Sequence, residues 1–407
     1  MNVSSLAGLA WRLPLILLAA LAECFLLRLL LPRPSGEWAP APEPRAITLA
    51  EGLALTMTLA AVAIAAAATL STSATSPDLL LFWGPKAEAF AAAKGLDAGY
   101  LGDPLLRYQH HSYPPLVPQV YAFATIAAGA GRLPWMAAAA TFPLLLAATA
   151  AGLFGVLRAS FPRRDAAIAT AAVSAALGLF GHVFAVAGNA DPALLLFETL
   201  ALGILVGEAG GSDGGQLLAG MLFAGALAAK VEGLPFVAAA GGLFLLARGR
   251  SVAWRRAPAW LFVPGILSLG AWFAFGRARH LFRAYETYGP TFEVHTERLG
   301  LVLVAIGKAL FGAAAGLPWL LPLAALLFAG RRAKASLYPA AIAGSLSVFF
   351  VFTYLHGAPD PALWIEWSAG RIFSIVSVLL TLAVIAARPA RDGAGEGETP
   401  RAPARGR

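Results

Sequence analysis

The chain has 407 residues, 59% of them hydrophobic and only 13% charged, with a mean hydropathy of +0.72. That composition excludes a soluble globular enzyme and leaves little sequence outside a membrane. The formal net charge of +8 gathers in short loops between apolar runs. It therefore reads as an orientation signal and not as a nucleic-acid footprint. The single cysteine, Cys24, excludes an intrachain disulfide and a thiolate metal cluster.

In chain order, hydropathy predicts membrane helices near 10–31, 47–70, 133–157, 165–187, 191–207, 215–229, 233–247, 257–275, 316–330, 338–355 and 371–387. The fold class expected is an all-α polytopic membrane protein with about eleven spans. Glu23 and Arg28 lie within the first apolar run, which reads as a retained helix and not as a signal peptide. The stretch 299–315 reads either as a span or as a helix lying in the interface. Residues 1–46 form an extra N-terminal helix and a cytoplasmic loop. Residues 47–387 form the main transmembrane domain. Residues 388–407, rich in Gly, Pro and Arg, read as a disordered cytoplasmic tail.

The basic clusters at Arg158/Arg163/Arg164, Arg248–Arg256 and Arg331–Lys334 fall on one side, as does the tail. The positive-inside rule makes that side cytoplasmic. The longer loops, 71–132, 276–298 and 356–370, then face outside and hold most of the acidic residues. Within the first of them, Leu79–Ala93 and Pro115–Ala128 read as two helices too short to cross, lying along the interface.

Four motifs and one arginine carry the candidate chemistry, all at the external ends of spans. SPDLLLFWGPKA holds Asp78, Trp83 and Lys86. Asp78 reads either as a helix cap or as a general base. Trp83 reads as an interfacial anchor or a substrate platform, and Lys86 with Glu88 as a solvated polar face or as catalytic groups. YQHHSYPPLVP holds His111 and Tyr113 ahead of a proline-fixed helix start. Adjacent histidines on an extended strand point apart, which argues against a metal site. GNADPALLLF puts Asn189 and Asp191 in a tight turn, with Pro192 in the first turn of the next helix, and reads either as a helix cap or as part of the site. AAKVEGLPF interrupts an apolar stretch with Lys230 and Glu232. They read either as a Lys–Glu pair at an ordinary tight turn or as functional groups, because a charge at that depth costs a few kcal/mol or more. Arg371 in WSAGRIFSIV stands at the start of the last span, placed to snorkel to lipid phosphates or to bind one phosphate bidentately.

The order of these motifs resembles the GT-C membrane glycosyltransferases, in the broad protein O-mannosyltransferase and aminoarabinose-transferase superfamily. Asp78, Tyr113-Pro114-Pro115, Asp191-Pro192, Lys230-Val231-Glu232-Gly233 and Gly370-Arg371 look like the counterparts, over about residues 47–387. The chain departs from that pattern where Leu79 follows Asp78 and where Tyr113 precedes the proline. The resemblance implies sugar transfer from a polyprenyl-phosphate carrier to a glycan, lipid or protein acceptor, on the periplasmic face of the inner membrane. Asp78 and Asp191 would be catalytic. Lys230, Arg371, His111, Tyr113, Glu232, Lys86 and Trp83 would bind donor or lipid phosphate. No cofactor, metal or nucleic acid is expected. The alternative is a transporter or flippase of lipid-linked sugars.

Overall fold

The computed structural model describes residues 10–12, 14, 18, 21–22, 46–109, 111–179, 182–184, 186–248, 256–281, 294–312, 316–327, 333–356 and 360–387. Most of the predicted first helix, Cys24, His110 and the tail after residue 387 lie outside these. Every regular element among the described residues is helical.

The first loop-proximal region runs α1 (Leu49–Thr72), a π-helical turn (Asp78–Trp83), α2 (Gly84–Ala93), α3 (Ala98–Gly102) and α4 (Leu116–Ala127). Then come α5 (Trp135–Ser160), α6 (Arg163–Gly178), α7 (Asp191–Val206), α8 (Asp213–Ala229) and α9 (Gly233–Arg248). The last part comprises α10 (Ala257–Ala278), α11 (Leu299–Gly312), α12 (Leu317–Leu327), α13 (Ala333–His356), α14 (Pro361–Ile372) and α15 (Ser374–Ala386).

Among the described residues, five helical stretches are long and apolar enough to cross a membrane: Leu49–Thr72, Trp135–Ser160, Ala257–Ala278, Ser336–His356 and Pro361–Ala386. Thr296–Gly312 and Leu317–Ala324 qualify together as a sixth, bent by 91°. The expected eleven is larger because helices α6, α7 and α9 have 16 residues each and α8 has 17. A 16-residue helix is about 24 Å long, short of a hydrocarbon core of about 30 Å. Predicted span 165–187 ends at Gly178 because a 3-10 turn follows at His182–Phe184. The two short helices expected in the first loop are present as α2 and α4, and they pack on each other.

In lipid, helix association depends on close approach of small residues more than on water exclusion. Helices α1 and α6 show this. Ala54, Ala61 and Ala65 of α1, and Ala166, Ala169 and Ala175 of α6, are buried. Thr48 and Glu51 cap α1 reciprocally, and Glu51 also pairs with Arg163 at 3.1 Å. That pair marks the end of the bundle opposite Asp78.

Near the N-terminus, Trp11 is buried. Its ring meets Phe90 edge-on at 6.2 Å, and its backbone N–H donates to the Lys94 carbonyl at 2.6 Å. These contacts hold Trp11 against the C-terminal end of α2.

Candidate functional site

Two distant segments dock first. After α1 the chain bends at residues 73–76, and the Ser76 hydroxyl donates to the Ala187 carbonyl. Ala187 N–H in turn reaches the Thr72 hydroxyl at 3.4 Å. Gly188 has φ +86, and a Cβ there would lie 2.4 Å from the Leu79 backbone. Only glycine tolerates both the left-handed conformation and the contact. The turn before α7 is thereby pressed against the start of the π turn. Asp78 and Asp191, 113 positions apart in the chain, come to the same place.

Local electrostatics then favours the group that each element presents. Asp191 is the first residue of α7, where a carboxylate meets the positive end of the helix dipole. The Asn189 side chain accepts the Asp191 N–H at 3.1 Å and so tightens the turn, while the N-cap position itself, Ala190, has no capping side chain. Lys230 is the C-cap of α8, where a cation suits the negative end. Arg371 lies in the last turn of α14, with the same preference.

These side chains form one ion-pair network. Lys230 Nζ lies 2.9 Å from Asp191 Oδ1 and 3.0 Å from Glu232 Oε1. Arg371 Nη1 lies 2.8 Å from Asp78 Oδ2 and 3.8 Å from Asp191 Oδ2. The Tyr113 hydroxyl donates to Glu232 at 3.4 Å. The pairs differ in access. Side-chain exposure is 25% for both Asp78 and Arg371, but 12% for Lys230 and 5% for Asp191. Asp78 can be reached from outside the protein, whereas Asp191 is an internal counter-charge.

Aromatic side chains wall this network on the loop side. Trp83 stacks on Tyr113 at 6.0 Å between centroids and 11° between planes. The Trp272 indole N–H donates to the Ser112 carbonyl at 2.9 Å, holding the segment before Pro114. Tyr121 is buried in α4, and burial together with the nearby Asp78 carboxylate pushes its phenol above the usual range.

The structure sorts the residues singled out from sequence. Asp78, Asp191, Lys230, Glu232, Arg371 and Tyr113 are brought together. His111 is not. It is buried in the loop, its Nδ1 lies 2.6 Å from the Leu101 carbonyl, and its ring packs on Tyr100. Lys86 is not brought to the network either, and it is no solvated polar face. It is buried, its ammonium sits 4.9 Å over the Trp83 ring, and it donates to the Gln109 carbonyl at 2.9 Å. Burial lowers the Lys86 ammonium to about 7. Trp83 is 5% exposed, so it is packed inside the protein and is not an anchor in lipid. Glu88 accepts the Leu133 N–H at 2.9 Å, tying α2 to the start of α5. Arg371 does not open the last span: most of α14 precedes it.

Sequence reasoning missed Gly188 and Ser76. The glycine had a visible signal, since it precedes Asn-Ala-Asp at a turn, but its contact with Leu79 had none. No group of three or more His, Cys, Asp or Glu among the described residues is arranged to hold a metal ion.

No protein-family model and no curated protein matches the chain. Among solved structures, the chain is similar to the apo crystal structure of the Archaeoglobus fulgidus oligosaccharyltransferase. The TM-score is 0.40 and the sequence identity 13%, over 79% of this chain and 50% of that one. The chain thus spans about half the length of that protein.

Proposed function

We propose that the protein is an integral-membrane glycosyltransferase. It would move a sugar from a polyprenyl-phosphate carrier to an acceptor on the external, periplasmic face of the inner membrane. The observation that carries this reading is the convergence of Asp78, Asp191, Lys230, Glu232 and Arg371 from four separated parts of the chain. Such a reaction needs a base for the acceptor hydroxyl and fixed cations for the leaving phosphate. Both are present within one network.

In this reading the work divides by access. Asp78, the more exposed carboxylate, is the base that takes the acceptor proton as its oxygen attacks the anomeric carbon. Arg371 and Lys230 hold the carrier phosphate as charge grows on it. Within the network both cations are paired with carboxylates. An arriving phosphate therefore competes with Asp78 for Arg371. Drawing Arg371 away leaves Asp78 a stronger base, so donor binding prepares the carboxylate for its step. Asp191 is a positioning residue, keeping Lys230 and Arg371 apart and oriented. Tyr113 and Glu232 border the same site. A single displacement inverts the anomeric centre; a product with the donor's configuration would overturn that.

The test uses purified protein, a panel of polyprenyl-phosphate sugars and a readout of released polyprenyl phosphate. Wild type releases it with one donor, and Asp78→Asn binds that donor but releases about a hundredfold less. Equal release by both proteins would remove Asp78 from the chemistry.

One observation favours a second reading, a transporter of lipid-linked sugar. Glu198 is buried in α7, two turns below Asp191, and ionisable groups within spans mark transport pathways. Movement of intact donor across proteoliposomes without cleavage would establish that reading instead.

A further inference from the structure

A second feature lies at the opposite end of the bundle, beside the Glu51–Arg163 pair. A groove of about 440 Å³ runs between α1, α6, α12 and α15. Met57, Ile168, Ala172, Leu321 and Ile385 line it. Met57, Ile168 and Leu321 are exposed, so it opens sideways to whatever surrounds the protein. The candidate spans that flank it make that surrounding a bilayer.

Its lining is apolar apart from Asp165 and Thr381, which suits a hydrocarbon chain. Its rim carries both signs of charge. Asp165 lines the groove itself. Arg164 is exposed and stands four residues before Ile168, on the same helix face one turn nearer the end. Arg163 is already engaged by Glu51. A carboxylate and a guanidinium on successive residues at the end of the groove match a headgroup with a primary ammonium and a phosphate. A purely anionic headgroup would meet Arg164 but offer no cation to Asp165.

We propose that this groove is a binding site for a phospholipid with a primary amine in its headgroup. One acyl chain lies between α6 and α15, the phosphate meets Arg164 and the ammonium meets Asp165. The proposal is independent of the glycosyltransferase reading, since none of these residues belongs to the ion-pair network.

The experiment loads purified protein into nanodiscs of equimolar phosphatidylethanolamine, phosphatidylglycerol and phosphatidylcholine. Native mass spectrometry then reads the lipid retained per chain after mild delipidation. Wild type retains one phosphatidylethanolamine, enriched about threefold, as one partly exposed ion pair allows. Ala172→Trp fills the groove and loses the retained lipid. Asp165→Asn, a change at the rim that leaves the packing intact, keeps one lipid but loses the preference. Equal retention of the three lipids, or enrichment of phosphatidylglycerol, overturns the proposal. So does an unchanged preference in Asp165→Asn, whether or not the Trp variant folds.

Discussion

Neutralising the two sides of the Lys230–Asp191 pair should have very different costs. Three carboxylates, Asp78, Asp191 and Glu232, share two cations, Lys230 and Arg371. The network therefore carries one net negative charge. At 2.9 Å and an effective dielectric constant of about 20, the Lys230–Asp191 attraction is about 6 kcal/mol before desolvation. Lys230→Met leaves Asp191 and Glu232 with only Arg371, already engaged by Asp78, and doubles the net charge. Breaking a buried pair in this way costs about 3–5 kcal/mol. Asp191→Asn brings the network to neutrality, with Lys230 still on Glu232 and Arg371 still on Asp78. Its cost is that of a charged hydrogen bond exchanged for a neutral one, about 1–2 kcal/mol. The double variant removes one of the two stranded carboxylates, leaving Glu232 without its cation, and recovers about 2 kcal/mol of the Lys230→Met loss. The assay is thermal unfolding in detergent at low salt, where each kcal/mol shifts Tm by about 2 °C. Lys230→Met should fall by about 6–10 °C and Asp191→Asn by about 2–4 °C. Equal losses, or a double variant below both singles, would refute the charge accounting.

Gly188→Ala should be far more damaging than Gly129→Ala, although both glycines have positive φ. Gly129 has open space around its Cβ position, so the cost is backbone strain alone, about 1–2 kcal/mol. Gly188 adds a 2.4 Å clash with the Leu79 backbone, and its variant should lose folded yield as well as Tm. Lys86 predicts a pH dependence. Its folded pKa of about 7 lies below the ordinary lysine value of 10.5, so the unfolded chain binds more protons between them. Wild-type stability therefore rises with pH across that window. Lys86→Met should be more thermostable than wild type at pH 6, with the advantage shrinking by up to about 4 kcal/mol towards pH 10. A gap that stays constant with pH would mean that the Lys86 ammonium is not desolvated.

Much of the site is legible in the sequence because its residues break a strong pattern. Lys230 and Glu232 stand out in an apolar stretch, and Asp191 stands out in a turn that is otherwise apolar. Pattern alone could not say which polar residues meet. Lys86 and His111 look as exposed in sequence as Asp78, yet both are buried within the loop on backbone carbonyls. Buried polar groups are recognised by their partners, and partners such as Gln109 and Leu101 are fixed only by folding. Helix count was the weaker part. Hydropathy sums apolarity and does not see where a Gly or a 3-10 turn ends a helix, so α6 is shorter than its apolar run.

The π turn at Asp78–Trp83 closes on the Gly84 N–H donating to the Leu79 carbonyl, five residues back. Such a turn carries one residue more than an α-helical turn, so the extra residue is taken up inside the turn and Asp78 and α2 keep the phase of a continuous helix. Excising one of Leu80, Leu81 or Phe82 would therefore let the turn close as an ordinary α-helical one, leaving Asp78 on Arg371 and Trp83 on Tyr113. The segment between Asp78 and Gly84 is a place where the chain can change length without re-aiming either end.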